Sequence, residues 1–234
     1  MKQKLLFLFI LLTTLGHSQS KNIYVEYSLV IQNEPDLFKT NALLRNSFEN
    51  AMRESDKITF ELIVTKKGSK FFDKKKLETD INVGSISFAI AMAGYVGIVY
   101  DLKDKIVSQK ALLGENIYSQ SDLKSNWELT NETKLIDNYL CYKATNIYKV
   151  INNTKTFLHP VTAWYCPQIP YRFGPNGYSN LPGLILELQV RNVVFGAKTI
   201  KLDSELDFDL NFLNKIKILS EKELVEAYAK FNGF

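Results

Sequence analysis

The sequence predicts a mainly antiparallel β protein (α+β): an open, curved β-sheet or half-barrel wrapped on one N-terminal helix, with a C-terminal helix. Short runs rich in β-branched and aromatic residues recur along the chain and are separated by turn residues. One segment near the N-terminus and one at the C-terminus instead place apolar residues at helical spacing. With 46% apolar and 12% aromatic residues, the chain of 234 residues can bury a substantial core.

The first 18 residues are expected to form a cleaved signal peptide. Lys2 and Lys4 precede an unbroken apolar run from Leu5 to Leu12, and small residues follow it. These eight apolar residues are far fewer than the roughly 20 that cross a bilayer, so we favour cleavage after Ser18 over an uncleaved anchor. The prediction is an exported protein, periplasmic or outer-membrane-associated, in which residues 19–234 form a single β-rich domain.

Charge and motifs exclude several function classes. Removing residues 1–18 takes two lysines from the 29 basic residues and none from the 25 acidic ones, which leaves a net charge near +2 and no case for a nucleic-acid partner. The chain has no G-x-S-x-G, H-E-x-x-H, C-x-x-C or G-x-G-x-x-G motif. Of the two histidines, His159 alone would remain after cleavage. We therefore predict no cofactor, no metal and no catalytic residues.

Local patterns predict the N-terminal elements in order. Residues 23–31 and 58–65 are typical of strands. The segment from Asp36 to Arg53 is predicted to be a helix. The uncharged segment 81–100 contains three glycines and lacks a basic flank, which favours a buried helix or loop followed by a strand at 96–100 over a membrane span. The apolar face of the predicted first helix comprises Leu37, Leu44, Phe48, Ala51 and Met52.

A β-meander is predicted between residues 99 and 190. The alternation of apolar and polar residues in 184–190 indicates a strand with one buried face. Ser220 and Glu223 form a capping box that begins the C-terminal helix. The remaining predicted strands are 99–101, 105–107, 127–130, 134–136, 139–150 and 156–166.

The two cysteines, Cys141 and Cys166, are predicted to form a disulfide. If residues 153 and 154 form the loop of a hairpin, Asn152 faces Lys155. The residue numbers of every facing pair then add up to 307. Cys141 and Cys166 also add up to 307, so they are expected to face each other. Facing Cβ atoms lie about 4.5–5.5 Å apart, which can close to a disulfide, and an oxidising compartment favours the bond. Two buried free thiols are the alternative.

Proline and glycine are concentrated between Trp164 and Leu188. Four of the six prolines and three of the eleven glycines lie there. Proline fixes φ, whereas glycine adopts backbone conformations closed to other residues, so the stretch predicts one shaped loop. Aromatic side chains in this stretch either line a ligand or partner site or pack the loop onto the sheet. These candidates are Trp164, Tyr165, Tyr171, Phe173 and Tyr178.

The same stretch resembles the signature of the GLPGLI family of exported Bacteroidota proteins. Asn180 stands where that family has its first glycine, and asparagine is the next best residue at a position with positive φ. The resemblance implies export, a strand pattern similar to open β-barrels of the lipoprotein-carrier type, and no defined activity or catalytic residues. The residues that carry the signature are Ile169, Pro170, Gly174, Pro175, Asn180, Leu181, Pro182, Gly183, Leu184 and Ile185.

The favoured function is a non-catalytic binding or carrier module of the cell envelope, whose partner is an apolar small molecule or an envelope protein. An accessory subunit that docks to an outer-membrane transporter is one alternative. A carboxylate-dependent hydrolase using Asp207, Asp209 or His159 is a less favoured one. Alternating carboxylates at residues 203–209 are also typical of a solvated edge segment.

Overall fold

The computed structural model describes residues 22–74, 83–112, 114–152 and 155–231, so the predicted signal peptide lies outside the described residues. Within these ranges, twelve strands form one open, curved sheet that is accompanied by three α-helices. The strands are β1 (Asn22–Ile31), β2 (Thr59–Thr65), β3 (Gly68–Asp73), β4 (Val99–Asp101), β5 (Ile106–Leu112), β6 (Glu115–Ser121), β7 (Glu128–Ile136), β8 (Tyr139–Asn152), β9 (Lys155–Cys166), β10 (Leu184–Val190), β11 (Val193–Ser204) and β12 (Ile218–Leu219). The helices are α1 (Ala42–Glu54), α2 (Val83–Met92) and α3 (Glu221–Phe231).

The sheet consists of two meanders joined by the first strand. Its order is β12-β6-β5-β4-β3-β2-β1-β11-β10-β9-β8-β7. Neighbouring strands are antiparallel except for β12, which pairs with β6 in parallel. The predicted mainly antiparallel β class, with an N-terminal and a C-terminal helix, is therefore confirmed. The central position of β1, between β2 and β11, was not predicted.

Helix α1 begins six residues later than predicted. Phe38 has φ 60°, which interrupts a right-handed helix, and the Asn41 side chain accepts a hydrogen bond from Leu44 N at 3.1 Å, which caps the helix. On the predicted apolar face, Phe48 and Ala51 are fully buried, whereas Leu44 is exposed. The segment 81–100 contains α2 and the start of β4, and no helix of the described ranges is long and apolar enough to cross a membrane.

The main hydrophobic core lies on one face of the sheet and is shared by β-strands, α1, α2 and the loop that follows β9. Its centre is aromatic: Phe60 stacks on Phe71 at a ring distance of 5.1 Å, and Phe195 and Tyr95 meet Phe60 edge-on. A smaller cluster that includes Tyr24, Ile63, Tyr100, Val107 and Phe208 lies on the opposite face, where side chains from the segment before β12 cover it.

The predicted register of the β8–β9 hairpin is confirmed, since Asn152 pairs with Lys155 and Tyr142 with Tyr165. The predicted disulfide is wrong, because Cys141 and Cys166 are both free and buried. The regular β8–β9 ladder ends at Tyr142 and Tyr165, one residue before the cysteines. Beyond that point the Cys166 carbonyl already accepts a hydrogen bond from Ile169 N at 3.1 Å, which turns the chain into the loop.

Two free thiols should therefore be found when the unreduced protein is denatured in the presence of iodoacetamide. In the folded protein neither should react, because both residues are 0% exposed and burial raises the pKa of Cys141 to about 12. Intact mass spectrometry would count the added carbamidomethyl groups. If the denatured, unreduced protein took up no carbamidomethyl group, the two cysteines would be bonded as first predicted.

Candidate functional site

The loop between β9 and β10, residues 167–183, lies inside the fold and is called the Pro/Gly loop. Residues 173–179 are all buried. A Cβ atom on Gly177 would lie 2.9 Å from Ile106 Cδ1 and 3.3 Å from Val99 Cγ1, so the loop touches β4 and β5 on the other half of the sheet. The Ile169 and Phe173 carbonyls accept hydrogen bonds from the first two residues of β10 at 2.9 and 3.0 Å. The loop thus has one defined shape.

The signature residues differ in their structural roles. Asn180 has φ 68°, in agreement with the expected positive-φ position. A Cβ atom on Gly183 would lie 2.2 Å from the Cys166 carbonyl oxygen, so only glycine allows the loop to close against β9. Buried signature residues are Ile169, Gly174, Pro175, Leu181, Gly183, Leu184 and Ile185, whereas Pro170 and Pro182 are exposed.

The five aromatic candidates are not brought together in one place. Phe173 is 3% exposed and belongs to the main core. Tyr165, with Tyr142, lines a cavity of about 320 Å3 beside the start of the loop. Trp164 lies under the Lys134 ammonium at 4.5 Å, and Tyr171 is partly buried beside the main core. Tyr178 lines a different cavity.

This second region is a cleft between the Pro/Gly loop and the β8–β9 hairpin. It consists of two cavities of about 290 and 400 Å3 that share Gly94, Lys124, Tyr148 and Asn176, and we call it the Lys124 cleft. The smaller cavity is otherwise lined by Ala91, Met92, Ala93, His159, Tyr178, Val190, Arg191 and Asn192. The larger is otherwise lined by Val96, Val99, Ile106, Ser108, Lys110, Ser119, Gln120, Ser121, Asp122, Glu221 and Leu224.

Lys124 is held by the Pro/Gly loop through a hydrogen bond and a ring contact. Its Nζ donates a hydrogen bond to the Asn176 carbonyl at 3.0 Å and lies 4.3 Å from the centre of the Tyr178 ring. Among the described residues, no carboxylate forms an ion pair with it. Burial, together with a smaller contribution from repulsion by Lys110, lowers the pKa of Lys124 to about 8. The cleft therefore contains a partly desolvated ammonium.

Asn192 borders the smaller cavity but keeps its amide oxygen buried. The residue is 7% exposed, and its Nδ2 donates a hydrogen bond to the Gln32 carbonyl at 3.0 Å. Its Oδ1 is buried and accepts no hydrogen bond from the described part of the chain. The neighbouring Arg191 already pairs with Glu34 at 2.8 Å. The Asn192 amide oxygen is thus buried beside the cavity without a described partner, whereas the Lys124 ammonium already donates to the Asn176 carbonyl.

The hydrolase candidates do not converge. Asp207 pairs with Lys67 Nζ at 3.0 Å, and Asp209 accepts a hydrogen bond from Asn211 N at 2.9 Å. Neither lines the Lys124 cleft, whereas His159 does, with its ring 6.5 Å from the Tyr148 ring. No three His, Cys, Asp or Glu residues in the described ranges are grouped so as to hold a metal. The structure provides no shared site for these three residues.

Sequence reasoning missed Lys124. It lies in a polar segment, residues 119–126, that carries no motif. Its partners Asn176 and Tyr178 lie more than 50 residues later, so its burial depends on tertiary contacts. An isolated bridge that pairs Lys124 with Tyr178 in parallel brings these segments together.

Comparison with known proteins agrees with the fold and with the signature. Two solved structures of PNGF-II, in space groups P21 and C2, superpose with TM-scores of 0.52 and 0.51 at 14% and 15% identity. Each comparison covers 88% of this chain and 32% of the PNGF-II chain, so this chain spans about a third of that length, and the likeness at this identity concerns the fold alone. No curated protein matches. Residues 151–187, which comprise β9, the Pro/Gly loop and the start of β10, match a family described as "Protein of unknown function (Porph_ging)", consistent with the predicted resemblance.

Proposed function

We propose that the protein is an exported, non-catalytic module that binds a small, partly apolar ligand in the Lys124 cleft. The observation that carries this proposal is the ammonium of Lys124, which borders both cavities and has no counter-ion among the described residues. Export is supported by the predicted signal peptide and by the resemblance to an exported family. The envelope location and the ligand belong to the proposal.

The size and lining of the cleft support a binding role. Ligand sites are concave, about 300–1,000 Å3 in volume, mostly apolar, and furnished with a few convergent polar groups. The two cavities, of about 290 and 400 Å3, fall at the lower end of this range. The rings of Tyr148 and Tyr178 lie 5.9 and 4.3 Å from the ammonium and provide flat apolar surface beside it. Of the predicted aromatic candidates, Tyr178 is the one that we place at this ligand.

Native mass spectrometry of the protein purified gently from its own envelope tests the proposal. We expect a bound mass that is released on denaturation, because a cleft with an unpaired cation retains a complementary ligand. The variant Lys124→Met should carry no such mass, whereas Lys66→Met, which changes an exposed lysine in the β2–β3 turn, should retain it. A bare wild-type protein would contradict ligand binding and would favour docking to an envelope partner.

Lys124→Met should also stabilise the unliganded protein, by about 2 kcal/mol at pH 7. A fall in the pKa from 10.5 to about 8 corresponds to about 3 kcal/mol of cost for the charged form, and the lost hydrogen bond and cation–π contact offset about 1 kcal/mol. Lys124 deprotonates near pH 8 in the folded chain and near pH 10.5 in the unfolded chain. The free energy of unfolding of the wild type should therefore rise between these pH values, and its deficit relative to Lys124→Met should shrink.

Urea unfolding at pH 7 and at pH 10 measures both effects. Lys66→Met serves as the control and should lie within about 0.5 kcal/mol of the wild type. If Lys124→Met were destabilised by more than about 1 kcal/mol at pH 7, Lys124 would be a structural residue and not a residue retained for a ligand.

A further inference from the structure

We propose that the Lys124 cleft, together with a row of aromatic rings that leads out of it, binds a neutral oligosaccharide of flat sugar units, such as the β-linked glucose chain of cellotetraose. This inference rests on the proposed function and names the class of its ligand. It combines three features: half-exposed rings in line on one strand pair, charges that balance within the cleft, and a cavity wall of hydroxyl side chains.

The β8–β9 hairpin extends beyond the strands on either side of it. Strand β7 pairs with β8 only as far as Thr145, and β10 pairs with β9 only from Val161 onwards. Residues 146–160 therefore have no strand neighbour on either side in the described part of the chain, and we call them the arm. Because Tyr148 and His159 of the arm line the smaller cavity, the base of the arm is one wall of the cleft.

Three rings follow one another on one face of the arm. Tyr148 and His159 face each other across the strand pair, and Phe157, two residues before His159, projects to the same side. The centre of the His159 ring lies 6.5 Å from the centres of both other rings, and the rings of Phe157 and His159 are parallel to within 5°. Tyr148 and Phe157 are 43% and 45% exposed. Contiguous exposed aromatic surface of this kind marks an interaction site.

The arrangement of these rings suits a chain of flat units. A sugar ring with equatorial hydroxyls has an apolar face of carbon-bound hydrogens, which packs against the electron-rich face of an aromatic ring. Its hydroxyls point outwards and remain free to form hydrogen bonds. Since a strand is extended, rings on alternate residues lie in line, and successive units of a straight oligosaccharide can each meet one of them.

The charges around the cleft balance, which favours a neutral ligand. The cations are Lys110, Lys124 and Arg191, and the carboxylates are Asp122 and Glu221 in the larger cavity and Glu34, which pairs with Arg191 at 2.8 Å. Glu221 lies close enough to Lys110 to favour its charged form. A charged ligand would leave an uncompensated charge in a partly desolvated site, whereas a sugar adds none.

One wall of the larger cavity carries hydroxyl groups. Ser108 faces Ser119 across β5 and β6, and Ser121 faces Ile106 in the same strand pair. Because side chains alternate along a strand, these serines share the face of Ile106, which belongs to the main core. The core face of the sheet thus becomes polar where it borders the cleft. A serine hydroxyl both donates and accepts hydrogen bonds, as a sugar hydroxyl does.

The volumes of the two cavities match the size of sugar units. A volume of about 290 Å3 corresponds to roughly ten waters at about 30 Å3 each, which is comparable with one hexose unit of about eleven heavy atoms. The larger cavity, of about 400 Å3, is slightly roomier. The cleft therefore accommodates about two units, and further units of a longer chain would lie along the arm.

Calorimetric titration of the intact protein with matched sugars tests this class of ligand. We expect cellotetraose to bind at least about tenfold more tightly than glucose, because its additional units stack on the row of rings. Maltotetraose has the same composition but a curved chain, and it should bind at least about fivefold more weakly than cellotetraose. The hyaluronan tetrasaccharide, whose β-linked units include carboxylates, should also bind more weakly. Sorbitol, which has hydroxyls but no ring, should not bind.

Two neighbouring substitutions on the arm isolate the contribution of the rings. Phe157→Ala should weaken cellotetraose about tenfold and leave glucose unchanged, because Phe157 lines neither cavity. Leu158→Ala is the matched control: Leu158 is 62% exposed on the opposite face of the same strand, so its truncation should change neither affinity. Urea unfolding of both variants shows that any loss of affinity occurs in folded protein.

Several outcomes would overturn the proposal. Equal affinity for cellotetraose, maltotetraose and sorbitol would exclude recognition of flat units, and equal losses in Phe157→Ala and Leu158→Ala would exclude stacking on the row. If none of the sugars binds while native mass spectrometry of the wild type shows a retained mass, the ligand class is wrong and the binding function stands. If no sugar binds and no mass is retained, both are wrong.

Discussion

Gly183→Ala should prevent stable folding, with a loss of more than about 4 kcal/mol in the free energy of unfolding. A Cβ atom at this position would lie 2.2 Å from the Cys166 carbonyl oxygen, 2.4 Å from its carbonyl carbon and 2.7 Å from Pro167 N. All three atoms are backbone, so no side chain can rotate away. Relief requires β10 to separate from β9 where Leu184 pairs with Cys166. Circular dichroism and urea unfolding would measure the loss.

Two matched substitutions isolate the steric cause. Gly94→Ala changes a glycine with φ 61° that has open space around its Cβ position, so it should cost about 1 kcal/mol from backbone strain alone. Asn180→Gly places a glycine at a position with φ 68° and should change stability by less than about 0.5 kcal/mol. If Gly183→Ala were as stable as Gly94→Ala, the loop would not lie as close to β9 as the structure indicates.

Phe173→Ala should lower the free energy of unfolding by about 3–5 kcal/mol, the usual cost of removing a buried phenyl ring. The ring is 3% exposed in the main core, and the Phe173 carbonyl accepts a hydrogen bond from Ile185 N at 3.0 Å, which the substitution leaves in place. Because Phe173 does not line the Lys124 cleft, the remaining folded molecules should bind any ligand retained by the wild type with unchanged affinity.

Measuring stability and affinity on the same preparation separates two roles of Phe173. Leu135→Ala is the control, since Leu135 is 70% exposed and its truncation should cost less than about 0.5 kcal/mol. If Phe173→Ala kept its melting temperature but lost affinity, the ring would be a ligand contact and its assignment to the core would be wrong.

Much of the fold follows from local sequence because its determinants are local. The β8–β9 register was predicted from a two-residue loop between Asn152 and Lys155, and it is confirmed from that pair to the pair of Tyr142 and Tyr165. The capping box is confirmed as well: Glu223 N donates to Ser220 Oγ at 3.3 Å, and Ser220 N donates to Glu223 Oε2 at 2.8 Å. Short-range hydrogen bonding and two-residue turns leave a direct trace in the sequence.

Features that depend on distant contacts were not predictable in this way. The two predicted strands 127–130 and 134–136 belong to one strand, β7. A bulge between Leu129 and Thr133 accommodates the polar residues that were predicted to separate them. The predicted disulfide between Cys141 and Cys166 was wrong. The register of the β8–β9 hairpin does not by itself show that the pairing of these strands ends before it reaches the cysteines. Lys124 acquires its chemistry from Asn176, Tyr148 and Tyr178, and no local pattern indicates that a lysine will meet two tyrosines.

The central position of β1 sets the order in which the protein can be completed. Among the described strands β1 is synthesised before the others, but it borders β11, whose residue Val193 pairs with Ile31 across more than 160 positions. Until β11 has emerged, β1 has a bare edge towards that side, where an unpaired strand invites wrong partners. Pairing of β1 with β11 is expected to be slow compared with formation of the hairpins on either side, because the two strands are far apart in the sequence. A partly synthesised chain therefore exposes an unpaired strand edge at residues 22–31 until β11 has been made.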